Sequence, residues 1–385
     1  MPSPAVDPTR LKDSLQALVG FNTENPPGHE SAAATYIADR LRGCGFGVET
    51  ADVLPGRTNV VARLDNGPGP VFAFNTHIDT VPAGDGWDSD PFKLRPADGR
   101  LYGRGACDAK GPLAAMLEAM RLLCEGRSRW SGTLLGVFVA DEEVASLGAK
   151  EYVKTGPVID FCLIGEPTSC TAVTAHKGSL RPVVRVAGKS AHSGTPDKGV
   201  NAILKSVPLL QLVAEEHERV RTRVHPLVGQ ASLTVTRANG GRADNVVPDA
   251  CDFLLDRRMV PGETEEETKA ALAALVRRAA QQSDTDMTIV EFRPTTGGAT
   301  ETAPDHPVVI AAQEACTRHN GRPSPLGGFE GGCDLVHFRS VGAHGVVVGP
   351  GSLAVAHKPN EFVPEDELVR AALIYHDIVA HMMGA

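Results

Sequence analysis

Apolar and polar positions alternate between two periods along the first half of the chain. "DPTRLKDSLQALVGF", "HESAAATYIADRLRGCGF" and "GPLAAMLEAMRLLCEG" carry the three-to-four-residue spacing of amphipathic helices. In the third, Leu113, Met116, Leu117 and Met120 fall on one face. "TNVVARL", "GPVFAFNTH", "GTLLGVFVAD" and "FCLIGE" are short, nearly continuous apolar runs of strand length. Runs without alternation suit strands covered on both faces. Their succession with helices predicts an α/β domain with a mostly parallel central sheet.

The pattern changes near residue 180. "RPVVRVAG" predicts a strand, "NAILKSVPLLQLVAEEHERV" a helix, "QASLTVTRA" and "ACDFLLDRRMV" two strands. "TEEETKAALAALVRRAAQQ" predicts a helix opened by a capping box from Thr264 to Glu267, and "MTIVEFRP" a final strand. That order, βαββαβ, is the ferredoxin-like unit. Helix, strand and helix patterns then return in "HPVVIAAQEACTRHN", "HGVVVGPG" and "EDELVRAALIYHDIVAHMM". The expected organisation is a catalytic domain in two parts, 1–179 and 294–385, with a smaller domain, 180–293, inserted between them.

The 385-residue length suits two domains better than one core. Acidic residues outnumber basic ones 47 to 38, with no basic run, which argues against nucleic acid or an anionic membrane as partner. No stretch is apolar enough to span a bilayer, and the N-terminal "MPSPAVDPTRLKDSLQALVG" lacks the apolar core of a signal peptide. The eight cysteines form no CxxC pair. Reduced thiols in the cytoplasm are the expectation.

Chemistry gathers behind the apolar runs. His77 and Asp79 follow "VFAFNT"; Asp141, Glu142 and Glu143 follow "TLLGVFVA"; Glu166 follows "FCLIG"; His357 follows "HGVVVGPGSLAVA". Asp108 stands just before the Leu113 helix. One acid behind a strand is ordinarily a solvated turn. Several, joined by two histidines, predict a ligand site at the carboxyl ends of the strands. Imidazole and carboxylate donors suit catalytic zinc. A side-chain period of two puts His77 and Asp79 on one side, so Asp79 could hold the second ring nitrogen of His77. "GPGSLA", from Gly349 to Ala354, fits the GxGxxA form of a dinucleotide loop. Pro350 and the nearby His357 favour instead a rigid turn that delivers a ligand.

"THIDTVP", "GRGACDAKGP", "DEEVASLGAK", "IGEPTS", "SAHSGTPDKGVNAI" and "GPGSLAVAHKPNEFV" resemble, in order, the motifs of the dinuclear zinc peptidases and deacylases. That family includes acetylornithine deacetylase, succinyl-diaminopimelate desuccinylase, aminoacylase and glutamate carboxypeptidase. The resemblance implies two divalent ions, zinc first, with cobalt or manganese as substitutes. It implies that Asp108 bridges them, that His77 and Glu166 complete one, and that Glu143 and His357 complete the other. Glu142 would be the general base and Asp79 the partner of His77. In the inserted domain, a lid and dimerisation surface in this family, His192 would serve the oxyanion across a homodimer. Asn245 and Arg258 match positions that contact a substrate carboxylate; taken alone they read as a turn residue and a solvated strand residue.

The expected activity is zinc-dependent cleavage of an N-acylated amino acid. An exo-carboxypeptidase acting on short peptides is the alternative within the class, and a non-catalytic metal-binding protein of the same fold the alternative outside it. Relatives often read Gly-Thr-Asp-Ala where this chain has "EGGCDLVHF", with Cys333 and Asp334. The departure between Glu330 and Asp334 bears on substrate specificity.

Overall fold

The computed structural model describes residues 5–384. The opening "MPSP" of the N-terminal stretch discussed above lies outside them. The chain forms two compact units. One comprises the chain up to Ala175, Glu301–Gly328 and the chain from Cys333 onward; the other comprises His176–Thr300 with Phe329–Gly332.

The first unit is built on a mixed sheet. Its central strands, Gly132–Val139, Val71–His77, Phe161–Ile164 and His344–Val347, lie side by side and parallel. Arg57–Asn66 and then Gly47–Leu54 extend it antiparallel at one side, and Val173–His176 meets Val347 antiparallel at the other. Every residue of Gly132–Val139 is buried, as its uninterrupted apolar run requires. Gly47–Leu54 is the opposite case. It is an exposed edge strand, and its sequence "GVETADVL" has no apolar run to announce it.

Helix Pro8–Gly20 begins where Asp7 accepts hydrogen bonds from the backbone of Thr9 and Arg10, with proline in the first turn. Helix Lys110–Glu125 packs against Pro8–Gly20 and Glu365–Met383. It is buried nearly all round rather than on the single face expected. Its one deep acid, Glu118, is neutralised by Arg10 at 2.9 Å and Arg121 at 2.8 Å. Phe74 links sheet to helix, its ring 5.6 Å from Phe72 and 5.9 Å from Tyr375. The Tyr375 hydroxyl donates to the Val348 carbonyl at 2.9 Å.

The second unit has four antiparallel strands in the order Ser232–Gly240, Ala250–Met259, Gly178–Ala187, Met287–Arg293. Helices Val207–Val220 and Glu265–Ser283 pack on each other and against the sheet. The elements therefore follow the order β–α–β–β–α–β along the chain. Burial alternates strictly along Ala250–Met259, as in a sheet covered on one face. Thr264 caps the second helix by accepting from the Glu267 backbone. "NAILKSVPLLQLVAEEHERV" is not one helix: Ala202–Lys205 stops at Ser206, and a new helix starts with Pro208 in its first turn. Proline has no N–H to continue the earlier ladder.

Candidate metal centre

Register in the sheet assembles the site. His77, the last residue of its strand, stands opposite Val139, and Asn75 stands opposite Ile164. The three chains therefore emerge at one edge. Two residues past Val139 comes Asp141, followed by Glu142 and Glu143; two past Ile164 comes Glu166. Asp108 stands two residues before the helix that begins at Lys110. His357 stands in a turn beyond strand His344–Val347, with φ +61°.

Asp108 faces two histidines with different oxygens. Its Oδ1 is 3.1 Å from Nε2 of His77, and its Oδ2 is 3.1 Å from Nε2 of His357. His357 Nε2 also lies 3.1 Å from Glu143 Oε2, and His77 Nε2 lies 4.0 Å from Glu166 Oε1. Donor atoms of His77, Asp108 and Glu143 fall within 4.8 Å of one another, as do those of His77, Glu142 and Glu166. His77, Asp108 and Glu166 are buried; His357 is half-exposed. Such a set, mostly carboxylates and imidazoles around one carboxylate with both oxygens engaged, fits a pair of divalent cations.

The electrostatics point the same way. Burial pushes Glu142 well above the usual carboxylate range, and the charge of Glu166 adds to it. Glu166 is pushed up by burial and by Asp108. Burial also raises Asp108, but hydrogen bonds from His357 and His77 outweigh it and leave the carboxyl well below its ordinary value. Those contacts in turn raise His357 to about 10, through Asp108 first and Glu143 second. This many carboxylates packed around two imidazoles are a site of surplus negative charge.

Asp79 differs from expectation in the atom it offers His77. The ring nitrogen Nδ1 meets the Asp79 backbone carbonyl at 2.9 Å, while the carboxylate stays 3.6 Å away. With Nδ1–H donated to that carbonyl, Nε2 keeps its lone pair for the centre. The carboxylate instead accepts from the backbone N–H of Glu142 at 3.0 Å and of Glu143 at 3.3 Å. Asp108 is held by Glu361, which accepts from the Asp108 backbone at 3.0 Å and the Cys107 backbone at 2.8 Å and pairs with the buried Arg104. Arg104 and Glu361 fall within "GRGACDAKGP" and "GPGSLAVAHKPNEFV", but the sequence does not single them out, because a Glu or Arg beside a turn reads as surface.

Gly349 and Gly351 serve packing. A Cβ on Gly349 would lie 2.3 Å from the Glu166 carbonyl, and one on Gly351 would lie 2.5 Å from Cys107 Sγ. The loop thus presses on the two segments that carry Glu166 and Asp108. No helix opens after it, as a dinucleotide loop requires.

Asp334 and Cys333 are both buried. Burial lifts the Asp334 carboxyl to about 6, and its charge contributes to raising both Glu142 and Glu166. Cys333 is raised by burial and next by Glu166. The departure at 330–334 therefore ends against the acids of the centre.

The second unit carries His192, Asn245 and Arg258. His192 is exposed and accepts from the Gly194 backbone at 3.0 Å. It bridges Val246, and the Asn245 carbonyl accepts from Ser193 at 2.9 Å, so these two loops are joined. Arg258 pairs with Asp256 at 2.7 Å on its own strand. All eight cysteines are free, and among the described residues no helix is long and apolar enough to cross a membrane.

The profile of peptidase family M20/M25/M40 matches residues 73–381. An acetylornithine deacetylase from Myxococcus xanthus is 33% identical over 390 residues, covering 97% of this chain and 98% of the relative. One from Vibrio campbellii is 30% identical over 335 residues, covering 86% of each. In fold the chain is similar to a metallo-carboxypeptidase from Sulfolobus solfataricus, with TM-score 0.81 and 17% identity over 97% of this chain and 99% of that one. It is also similar to an aminopeptidase from Bacillus cereus, with TM-score 0.80 and 22% identity over 98% and 99%. The chain, with its cluster of side chains that could hold metal, belongs to peptidase family M20/M25/M40 and is a hydrolase of amide bonds.

Proposed function

We propose that this enzyme hydrolyses the amide bond of an N-acylated amino acid, releasing a carboxylate and an amine. The observation that carries the reading is Asp108, each of whose oxygens is 3.1 Å from a different histidine, with Glu142 among the surrounding donors. The names of the M. xanthus and V. campbellii relatives support the choice of substrate class.

Asp108 would be shared by two divalent ions, zinc first. His77 and Glu166 would complete one, and Glu143 and His357 the other. When bound, such ions polarise the amide carbonyl and lower the pKa of water. Glu142 takes the proton of the attacking water and returns it to the leaving nitrogen. A carboxyl raised by burial suits that shuttle, because it takes up a proton more readily than an ordinary carboxylate. His192 contributes to oxyanion stabilisation from the partner chain of a homodimer, formed through the inserted domain at 180–293. Asn245 and Arg258 receive the substrate carboxylate, for which the arginine fork is suited. The enzyme works in the cytoplasm on small molecules.

The test is a hydrolysis screen with added zinc, setting N-acetyl and N-succinyl amino acids beside dipeptides. Turnover confined to dipeptides would overturn the deacylase reading in favour of the peptidase one. The roles of Glu142 and Glu143 separate by mutation. Glu142→Gln should keep its metal and lose about 10²–10⁴-fold in turnover. Glu143→Gln should lose metal as well. Opposite metal contents would reverse the two assignments.

A further inference from the structure

Glu142 and Glu143 lie in a turn whose backbone is under strain. Asp141, just before them, has φ +68°, a left-handed conformation that a non-glycine residue holds only under restraint. The restraint is visible. Asp141 Oδ1 accepts from Arg57 Nη2 at 3.0 Å and from Asn25 Nδ2 at 2.9 Å. The same Asn25 amide donates to Asp79 Oδ2 at 2.8 Å. Asp79 in turn accepts from the backbone of Glu142 and Glu143 at 3.0 and 3.3 Å.

Each outer member is itself fixed. The Asn25 backbone donates to the Thr80 carbonyl at 2.7 Å. Arg57 is locked by Glu30, whose two oxygens lie 2.8 and 2.7 Å from Nε. Gly28, at φ +84°, lets the "NPPG" turn close over that guanidinium, since a Cβ there would lie 2.1 Å from Arg57 Nε. Asn25, Glu30, Arg57, Asp79 and Asp141 are all buried. A buried arginine between two acids and a buried amide between two carboxylates are costly to assemble. The Glu142–Glu143 backbone is held at their inner end.

We propose that Asn25 and Arg57 are positioning residues: acting through Asp141 and Asp79, they hold the Glu142–Glu143 turn so that the base faces the metal centre. The inference rests on the reading of Glu142 as general base. Among the described residues, Asn25 supplies the one donor shared by Asp79 and Asp141. Without it the two carboxylates lose their common partner, and the turn that both of them hold relaxes.

The experiment uses the full-length enzyme at saturating divalent ion, with an N-acyl amino acid that it turns over. Asn25→Ala should lower kcat about 10- to 10²-fold while KM moves little, the scale for removing a partner behind a site. Arg57→Lys keeps a cation but loses the fork that spans Glu30 and Asp141, and should show the same split in weaker form. In a double-mutant cycle, adding Asn25→Ala to Glu142→Gln should cost almost nothing further, because the group being positioned is already disabled. A general structural role would instead cost the same in both backgrounds, and that result overturns the proposal. So does wild-type kcat in folded Asn25→Ala and Arg57→Lys enzymes. If Asn25→Ala does not fold, Asn25→Ser takes its place in the cycle with the same two outcomes. If Glu142→Gln alone retains full turnover, the assignment of the base has failed. A kcat loss in Asn25→Ala would then be tied to another group.

Discussion

Returning zinc to metal-free enzyme at pH 8 should release about one proton per chain from His357, with His77 adding to it. An isolated imidazole, with its ordinary value of 6.5, would be almost fully neutral at that pH and release nearly none. Here His357 is lifted to about 10 by Asp108 and Glu143, each 3.1 Å from its Nε2. Two units above the buffer, about 99% of it carries its proton. His77 is raised as well: burial opposes its charge, but hydrogen bonds to Asp108 and Asp79 overcome the penalty. Each ring must give up whatever proton it carries at Nε2 to become a ligand. Glu142 and Glu166, raised by burial, can only add to the count.

A pH indicator in weakly buffered solution reads the release directly. Calorimetry in buffers of differing ionisation enthalpy reads it independently. Release below about half a proton per chain would refute the charge balance drawn for the centre. His357→Gln should lower it by about one. The same shift has a consequence for stability. A histidine whose folded-state value is raised stabilises the metal-free protein fully below 6.5 and loses that contribution as pH rises through about 10. Metal-free protein should therefore melt at falling temperature across that window. His357 is half-exposed, so screening keeps the effect near about 1 kcal/mol.

Three further outcomes follow from the site. Metal analysis of wild-type enzyme should approach about two ions per chain, and Asp108→Ala should lose affinity for both; saturation at one ion with unchanged affinity in Asp108→Ala would remove the bridging role. Gly351→Ala should weaken metal binding and cost about 1–3 kcal/mol, since its Cβ would lie 2.5 Å from Cys107 Sγ at φ +82°; unchanged melting and metal affinity would contradict the packing described. His192→Ala should stay folded and metal-loaded but lose about 10²–10³ in turnover. Mixed with Glu142→Gln under subunit exchange, it should recover up to about a quarter of wild-type activity, and a mixture as inactive as its parts would place His192 outside the partner's site.

The candidate ligand set was legible because strands and chemistry share one rule. A buried parallel strand shows as an apolar run, and the residues that follow it stand at the sheet's carboxyl edge. His77, Glu142, Glu143 and Glu166 all follow such runs. Asp108 precedes a strongly apolar helix. The ordered motifs tied these to His357, which follows its strand only after a turn. The βαββαβ order was equally plain, because alternation with period two differs from a helical period.

Tertiary structure alone decided how the set is held. Sequence spacing puts Asp79 on the same side as His77, but only the folded turn shows that its carbonyl takes the ring while its carboxylate takes the Glu142–Glu143 backbone. Asn25, Glu30 and Arg57 are 116, 111 and 84 residues before Asp141, by their numbering, and carry no periodicity that marks them. A polar residue in a turn or at a strand's start reads as solvated until the fold covers it. Whether a carboxylate lies in water or beside Asn25, Arg57 or Asp334 depends on chain segments brought together across the sheet. Local pattern determines which face of an element is apolar; the dielectric around each charge, and the partner it finds there, exist only once the sheet has closed.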